Sequence, residues 1–128
     1  MTDVLEIGKL GEQVAARFLK DKGFEILEMN FKNNSGRRLG EIDIIAKDKK
    51  ENELVFVEVK TRGYQKYKDT LPEENITASK LRKLSKIASV YLNYKNLTGA
   101  DYRFDAISVW LDTSSGTAKI KHIRNIFL

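Results

Sequence analysis

Residues 54–62 read LVFVEVKTR, an apolar run typical of a buried β-strand that nevertheless carries two opposite charges. Because side chains alternate along a strand, Glu58 and Lys60 share one face with Phe56, and valines occupy the other. Taking a charge out of water costs several kcal/mol unless it is paired or binds a metal. The two charges therefore indicate either a neutralised ion pair or a working site.

A second strand with an embedded charge precedes this one. Residues 40–47, GEIDIIAK, place Asp43 among isoleucines, and only five residues, 48–52, separate the two strands. So short a connection joins antiparallel neighbours, and we therefore expect a hairpin in which Asp43 faces Glu58. Two adjacent carboxylates repel each other unless a cation lies between them.

Mg²⁺ is the cation that suits this pair, with Mn²⁺ as its substitute. It takes one or two protein carboxylates, keeps several waters and leaves positions open for phosphate oxygens. Lys60, about 7 Å along the strand from Glu58, would orient or deprotonate the attacking water or offset charge on the phosphate. The main-chain carbonyl of Val59 would add a ligand. The pattern of Asp43, Glu58 and Lys60 thus predicts a phosphodiesterase site.

A purely structural role is the alternative for these three residues. Glu58 and Lys60 would then form an ion pair on a sheet surface that only looks buried in the sequence. Asp43 would be a strand-end residue bonded to a loop. Short charged patterns of this kind often arise by chance, so the three residues alone leave both interpretations open.

The remaining chain alternates helical and strand patterns. The predicted elements are a helix at 3–22, strands at 24–31, 40–47 and 53–61, a helix at 77–95, and strands at 101–111 and 118–127. The first helix ends at Gly23, a favoured residue just past a helix end. This order predicts one α/β domain, residues 1–128, with a mixed central sheet flanked by helices.

The fourth predicted strand carries charges of its own. Arg103 and Asp105 share one side of it, with Phe104 on the other. We interpret them as a structural ion pair that supports the site rather than as catalytic groups. Trp110, further along the strand, is expected in the core.

Composition narrows the classes of function. The chain has 23 Lys and Arg against 18 Asp and Glu, a net charge of +5, which favours a polyanionic partner. It has no cysteine and a single histidine, which excludes disulfides, thiolate nucleophiles and histidine-rich or cysteine metal sites. No signal peptide or membrane-spanning stretch is apparent, so we expect a cytoplasmic protein with no membrane partner.

Basic and aromatic residues interleave just past the acidic strand, in RGYQKYK at 62–68. Cations hold phosphates and flat rings stack on unpaired bases, so this segment suits branched or frayed nucleic acid. A polar loop at 32–39 adds two arginines, and a solvated loop is the alternative for the segment at 62–68. The candidate nucleic-acid contacts are Arg37, Arg38, Arg62, Tyr64, Lys66, Tyr67 and Lys68.

Several motifs together resemble a known family. GEIDIIA at 40–46, followed by VEVKTR at 57–62, resembles the PD-(D/E)XK, or restriction-endonuclease-like, nuclease superfamily. Within it, the chain looks like the YraN family of small bacterial proteins. That likeness rests on GKLGEQVAARFLKDKGFEIL at 8–27, PEENITASKLRKL at 72–84 and YRFDAISV at 102–109, and it covers nearly the whole chain.

The resemblance implies an αβββαβ core and Mg²⁺-dependent phosphodiester hydrolysis. Asp43, Glu58 and Lys60 take the superfamily's acid, acid and lysine positions. Glu12 on the first helix resembles its additional acidic residue, although an ordinary solvated glutamate is the alternative. By the same resemblance, Lys80 projects toward the metal site as a phosphate contact. Holliday junction resolvases are the nearest functional analogues, and they imply a homodimer because two strands must be cut.

Three hypotheses of different classes follow. The first is a metal-dependent nuclease acting on DNA, with branched or repair intermediates as substrates. The second is a nucleic-acid-binding module that keeps the nuclease fold without turnover. The third is a structural adaptor whose carboxylates only pin a hairpin.

Overall fold

A computed structural model describes residues 4–33, 40–63 and 77–126 of the chain. Within these ranges the chain forms two helices and five strands. The elements are α1 (Val4–Asp21), β1 (Phe24–Lys32), β2 (Glu41–Asp48), β3 (Glu53–Gly63), α2 (Ala78–Tyr94), β4 (Tyr102–Asp112) and β5 (Thr117–Ile123). The predicted α/β class and the order of elements are confirmed.

The strands form one mixed sheet in the order β1-β2-β3-β4-β5. The predicted hairpin is confirmed, since β2 pairs antiparallel with β3 and Ile44 lies opposite Val57. β3 and β4 are parallel, whereas β1 and β5 pair antiparallel with their neighbours. A parallel pair needs a long crossover, and α2 lies in the connection from β3 to β4.

The two helices contribute to cores on opposite faces of the sheet. Ala15 and Leu19 of α1 lie in a buried cluster with Val57. Phe56 lies in the other cluster, with Tyr91 of α2. The alternation predicted for β3 is therefore confirmed. Of the two helices in the described residues, neither carries an apolar stretch of membrane-spanning length.

The alternation in β2 breaks at Asp43. Strict alternation along the strand predicts that Ile42 shares a face with Ile44. Ile42 is instead buried with Ile45 in the cluster that contains α2 residues, so this prediction is wrong. Main-chain pairing of β2 with β3 covers Ile44 to Asp48 and does not extend to Asp43. On the other side of β2, Met29 and Phe31 of β1 pair with Ile44 and Ile42, the two residues that flank Asp43. Asn30, between Met29 and Phe31, has a φ of 55°. The strand is thus irregular at the residue that matters most.

α1 approaches β3 very closely at Gly11. A Cβ built at Gly11 would lie 2.7 Å from the Cβ of Thr61 and would also overlap its methyl and hydroxyl groups. Rotation of the Thr61 side chain cannot relieve contact with its own Cβ. The helix can lie at this distance from β3 only because residue 11 has no side chain, and Glu12 is positioned by the same contact.

Gly11→Ala is expected to lower the free energy of unfolding by about 1–3 kcal/mol, the usual cost of forcing extra atoms into a packed contact. The loss should appear although alanine favours a helix by about 1 kcal/mol over glycine. Gly8→Ala in the same helix is the control, because its Cβ would meet nothing within 4 Å. Urea denaturation measures both, and equal stability of the two variants would contradict the close contact.

Candidate metal centre

Asp43 bridges β2 and β3 just beyond their last main-chain pair. Its side chain is almost fully buried, and its Oδ2 accepts a hydrogen bond of 2.7 Å from the Val59 N–H. The last main-chain pair of the hairpin joins Ile44 to Val57. The carboxylate is therefore held between the two strands by a main-chain donor, with its second oxygen left for another partner.

Three carboxylates converge at this point. Single oxygens of Glu12, Glu41 and Asp43 all lie within 4.8 Å of one another. Glu12 comes from α1, and the other two come from the start of β2. Asn30 of β1 ties the partly exposed members together, since its Nδ2 donates to Glu12 Oε1 at 2.9 Å and to Glu41 Oε1 at 3.1 Å. Lys32 Nζ lies 3.6 Å from the other oxygen of Glu41.

The surroundings of Asp43 disfavour its negative charge. Burial raises the pKa of Asp43 most, and the negative charge of Glu58 raises it next. The Val59 N–H lowers the pKa, while the charges of Glu12 and Glu41 raise it further. The net result raises the pKa of Asp43 to about 8. The group thus holds a proton near neutral pH unless a positive charge comes close.

Glu58 and Lys60 form an ion pair on the neighbouring strand. Glu58 Oε1 lies 3.1 Å from Lys60 Nζ, and the side chains are only 16% and 17% exposed. The ion pair of the structural alternative is therefore present. Asp43, however, lies within β2 and bonds to β3 rather than to a loop. Among the described residues no lysine or arginine pairs with Asp43, so its charge is not neutralised in the same way.

Lys80, on α2, lies close to the ion pair of Glu58 and Lys60. Thr77 caps this helix, because its Oγ1 accepts a 3.2 Å hydrogen bond from the Lys80 N–H. Lys60 lies next to the Lys80 side chain, and this close approach of a like charge, followed by burial, lowers the pKa of Lys80. Glu58 opposes the shift, and Arg62 adds to it. Two ammonium groups therefore lie next to each other beside the acidic cluster.

The other predicted site residues have the following positions. Arg62 is partly exposed near the end of β3 and donates from Nη1 to the Thr61 carbonyl at 3.0 Å. Val59 is buried and supplies its N–H to Asp43, so its carbonyl as a metal ligand remains a prediction. The predicted contacts at Arg37, Arg38, Tyr64, Lys66, Tyr67 and Lys68 lie outside the described residues.

Sequence reasoning missed two members of the site. Glu41 stands two residues before Asp43 on a strand, a spacing that places both on one face and could have identified it. Asn30 offered a weaker signal, because asparagine is enriched at positive φ and this residue has a φ of 55°. Its contact with two carboxylates from different elements depends on tertiary structure.

A second set of charges lies at the opposite end of the sheet. The predicted ion pair is confirmed, since Arg103 Nε donates to Asp105 Oδ1 at 3.0 Å, but its position beside the candidate site is not, since it lies at the other end of the sheet. Arg103 Nη1 also donates to Asp48 Oδ2 at 2.9 Å and to Glu53 Oε1 at 2.8 Å. His122 Nε2 lies 2.8 Å from Asp105 Oδ2. This network joins the β2–β3 turn to β4 and β5 and belongs to the framework rather than to the acidic cluster.

Known relatives match nearly the whole length of this chain. The model of "Uncharacterised protein family UPF0102" matches residues 11–109. A UPF0102 protein of Clostridium beijerinckii is 43% identical over 122 residues, 95% of this chain and 93% of the relative. One from Caldanaerobacter subterraneus is 43% identical over 94% of this chain and 93% of its own length. One from Clostridium botulinum strain Loch Maree is 45% identical over 95% of this chain and 94% of its own length. The chain belongs to the UPF0102 family.

Proposed function

We propose that the protein is a metal-dependent nuclease that hydrolyses phosphodiester bonds in DNA, with branched or repair intermediates as substrates. The observation that carries the proposal is the convergence of Glu12, Glu41 and Asp43 beside the pair of Glu58 and Lys60. The resemblance of GEID and VEVK to the PD-(D/E)XK pattern supports the same chemistry. We extend the proposal to a homodimer, because cutting a branched substrate symmetrically needs two sites.

The donor set fits a hard divalent cation. The converging ligands are carboxylate oxygens, which Mg²⁺ and Mn²⁺ prefer to nitrogen or sulfur. Burial and the neighbouring acids raise the pKa of Asp43, and a divalent ion would supply the positive charge that favours its ionised form. Glu12, Glu41 and Asp43 would hold the ion. When bound, it would polarise a phosphate oxygen and lower the pKa of a bound water.

The residues around the cluster would position the DNA. Asp43 is fixed in one orientation by the Val59 N–H, so it needs no reorganisation when substrate arrives. Glu58 holds the Lys60 ammonium at the edge of the cluster. Lys60 and Lys80 repel each other when both are charged, and a phosphate between them would relieve that repulsion. Their joint role would be to offset the charge that grows on the phosphate as the bond breaks.

Cleavage of a panel of labelled DNAs tests this function. Purified protein is incubated with linear, flapped and four-way DNA in Mg²⁺, in Mn²⁺ and in EDTA. Metal-dependent cleavage is expected from the wild type and not from Asp43→Asn or Glu58→Gln, each checked for an intact fold by circular dichroism. Glu51→Gln, at the exposed β2–β3 turn, is the matched control. Salt-sensitive binding without cleavage would instead favour a non-catalytic binding module.

Glu41→Gln tests the residue that sequence reasoning did not select. We expect cleavage to fall by about 10–100-fold, the usual cost of losing a group that supports a metal site. The reason is that one of three converging carboxylates loses its charge while the contact with Asn30 can be kept. Calorimetric titration with Mg²⁺ in the absence of DNA should show a parallel loss of affinity. Unchanged affinity and unchanged cleavage would remove Glu41 from the site.

A further inference from the structure

β5 contributes two exposed lysines to the sheet face that carries Lys60. Lys60 lies opposite Ser108 of β4, and Ser108 lies opposite Lys121 of β5. Side chains of directly opposed residues point to the same face of a sheet. Lys121 is therefore on the same face as Lys60, two strands away, or about 10 Å at the usual spacing of strands.

A second row of directly opposed residues crosses the sheet two positions further along β3. Arg62 is opposite Trp110, and Trp110 is opposite Lys119. The Lys119 Nζ lies 5.7 Å from the centroid of the Trp110 ring, a cation–π contact that keeps this lysine on the same face. Trp110 itself is buried, so the ring serves as a support beneath Lys119 rather than as an exposed stacking surface.

Glu58 and Asp112 are acidic residues close to these two rows of lysines. Glu58 is already paired with Lys60. Asp112 lies at the far end of β4, opposite Thr117, and its Oδ1 accepts hydrogen bonds from the Ser114 hydroxyl at 2.7 Å and from the Ser114 N–H at 3.1 Å. Lys119 and Lys121 thus extend the positive charge of Lys60 away from the acidic cluster, toward the β5 edge.

We propose that Lys119 and Lys121, which we call the β5 lysines, bind the sugar-phosphate backbone of the DNA beside the cleaved bond. This inference rests on the proposed function, which fixes where the reacting phosphate lies. One strand of duplex DNA carries a phosphate every ~3.4 Å along its axis, so a row of about 10 Å spans about three phosphates. Lysine contacts to phosphates carry no base information, so this surface would add affinity without sequence preference.

Binding measured without metal tests the β5 lysines apart from catalysis. The pair Lys119→Glu and Lys121→Glu is compared with Lys49→Glu and Lys50→Glu, exposed lysines at the opposite end of the sheet that give the same change of charge. The probe is a fluorescein-labelled four-way DNA junction in EDTA, followed by anisotropy over a series of salt concentrations. We expect the β5 pair to raise Kd at least about tenfold and to reduce the salt slope by about 2, since each duplex phosphate contact adds about 0.9.

The controls separate the outcomes. The milder pair Lys119→Gln and Lys121→Gln should give an intermediate loss, and thermal unfolding of every variant shows whether the fold is kept. If the double variant of the β5 lysines binds the DNA junction as tightly as the double variant of Lys49 and Lys50, the inference is overturned. The β5 lysines would then only protect an edge strand from aggregation. That result would leave metal-dependent cleavage by the wild type untouched. Binding that depends on the β5 lysines, without any cleavage, would instead support the surface and refute the nuclease.

Discussion

Asp43→Asn is expected to abolish metal-dependent cleavage and, in the same molecule, to stabilise the metal-free protein at pH 8. The loss of activity should be about 10³-fold or more, since a ligand of the reacting centre supplies several kcal/mol and about 1.4 kcal/mol corresponds to tenfold in rate. Asparagine keeps the shape of the side chain and an oxygen that can accept from the Val59 N–H. The change therefore removes charge and little else.

The gain in stability follows from the raised pKa. Asp43 titrates near 3.9 in an unfolded chain, and burial with the neighbouring acids raises its pKa to about 8 in the folded protein. Between these pH values the folded state holds a proton that the unfolded state has released, so the free energy of unfolding falls as the pH rises. At about 1.4 kcal/mol for each pKa unit, a shift of this size corresponds to a loss of about 5 kcal/mol by pH 8. Asparagine does not titrate and avoids this loss.

Thermal unfolding in EDTA at pH 5 and pH 8 measures the effect. The difference in melting temperature between Asp43→Asn and the wild type should be larger at pH 8 than at pH 5. Mg²⁺ should then raise the melting temperature of the wild type and leave the variant nearly unchanged. Asp21→Asn, at an exposed position in α1, is the control. A wild type whose stability relative to Asp43→Asn is independent of pH would contradict the crowding of acids around Asp43.

Arg103→Met is expected to lower the free energy of unfolding by about 3–5 kcal/mol, the cost of removing one partner of a buried ion pair. The Arg103 side chain is only 3% exposed and contacts Asp48, Glu53 and Asp105. Methionine would fill similar space but would leave these carboxylates facing one another. A loss of this size is a large part of the 5–15 kcal/mol typical of a whole domain.

Urea denaturation, with Arg17→Met as the control, checks this expectation. Arg17 also pairs with an aspartate, but its side chain is 79% exposed, so its loss should cost less than about 1 kcal/mol. Similar losses for the two variants would show that the buried network contributes no more than a surface pair.

The stability that Asp105 contributes, in the network around Arg103, changes with pH in the opposite direction to the effect of Asp43. Burial by itself would raise the pKa of Asp105, but hydrogen bonds from His122, Arg103 and the Asn125 N–H lower it overall. The stability that Asp105 contributes is therefore present above its unfolded pKa of about 4 and is lost as the pH falls below it. Acid titration of the wild type should show this loss below pH 4, separate from the effect of Asp43 at higher pH.

Local patterns predicted most of the fold. The alternation of Phe56 with the valines fixed the two faces of β3, and the short connection after β2 fixed the hairpin. The position of α1 was harder to predict. Helical spacing places Leu10 on the apolar stripe of α1 with Val14 and Phe18, yet Leu10 is 40% exposed while Leu19 is fully buried. The contact of Gly11 with β3 sets the rotation of the helix. No pattern within the helix contains that information.

The site was predictable only where it follows a single strand. Asp43, Glu58 and Lys60 stood out because charges inside apolar strands are costly, and the structure brings them to one end of the sheet. Glu41 was passed over, and Ile42 was assigned to the wrong face. Both errors arise where regular pairing of β2 ends, which depends on neighbouring strands rather than on the local sequence.

The amide of Asn30 has a further consequence for how an ion would be chosen. It spans Glu12 and Glu41 through two hydrogen bonds, so folding itself sets the spacing of these oxygens. A preorganised cage loses little flexibility when it is filled, and its rigidity penalises ions of the wrong radius. Discrimination against the larger, more loosely coordinated Ca²⁺ would then originate in an uncharged residue that never touches the metal.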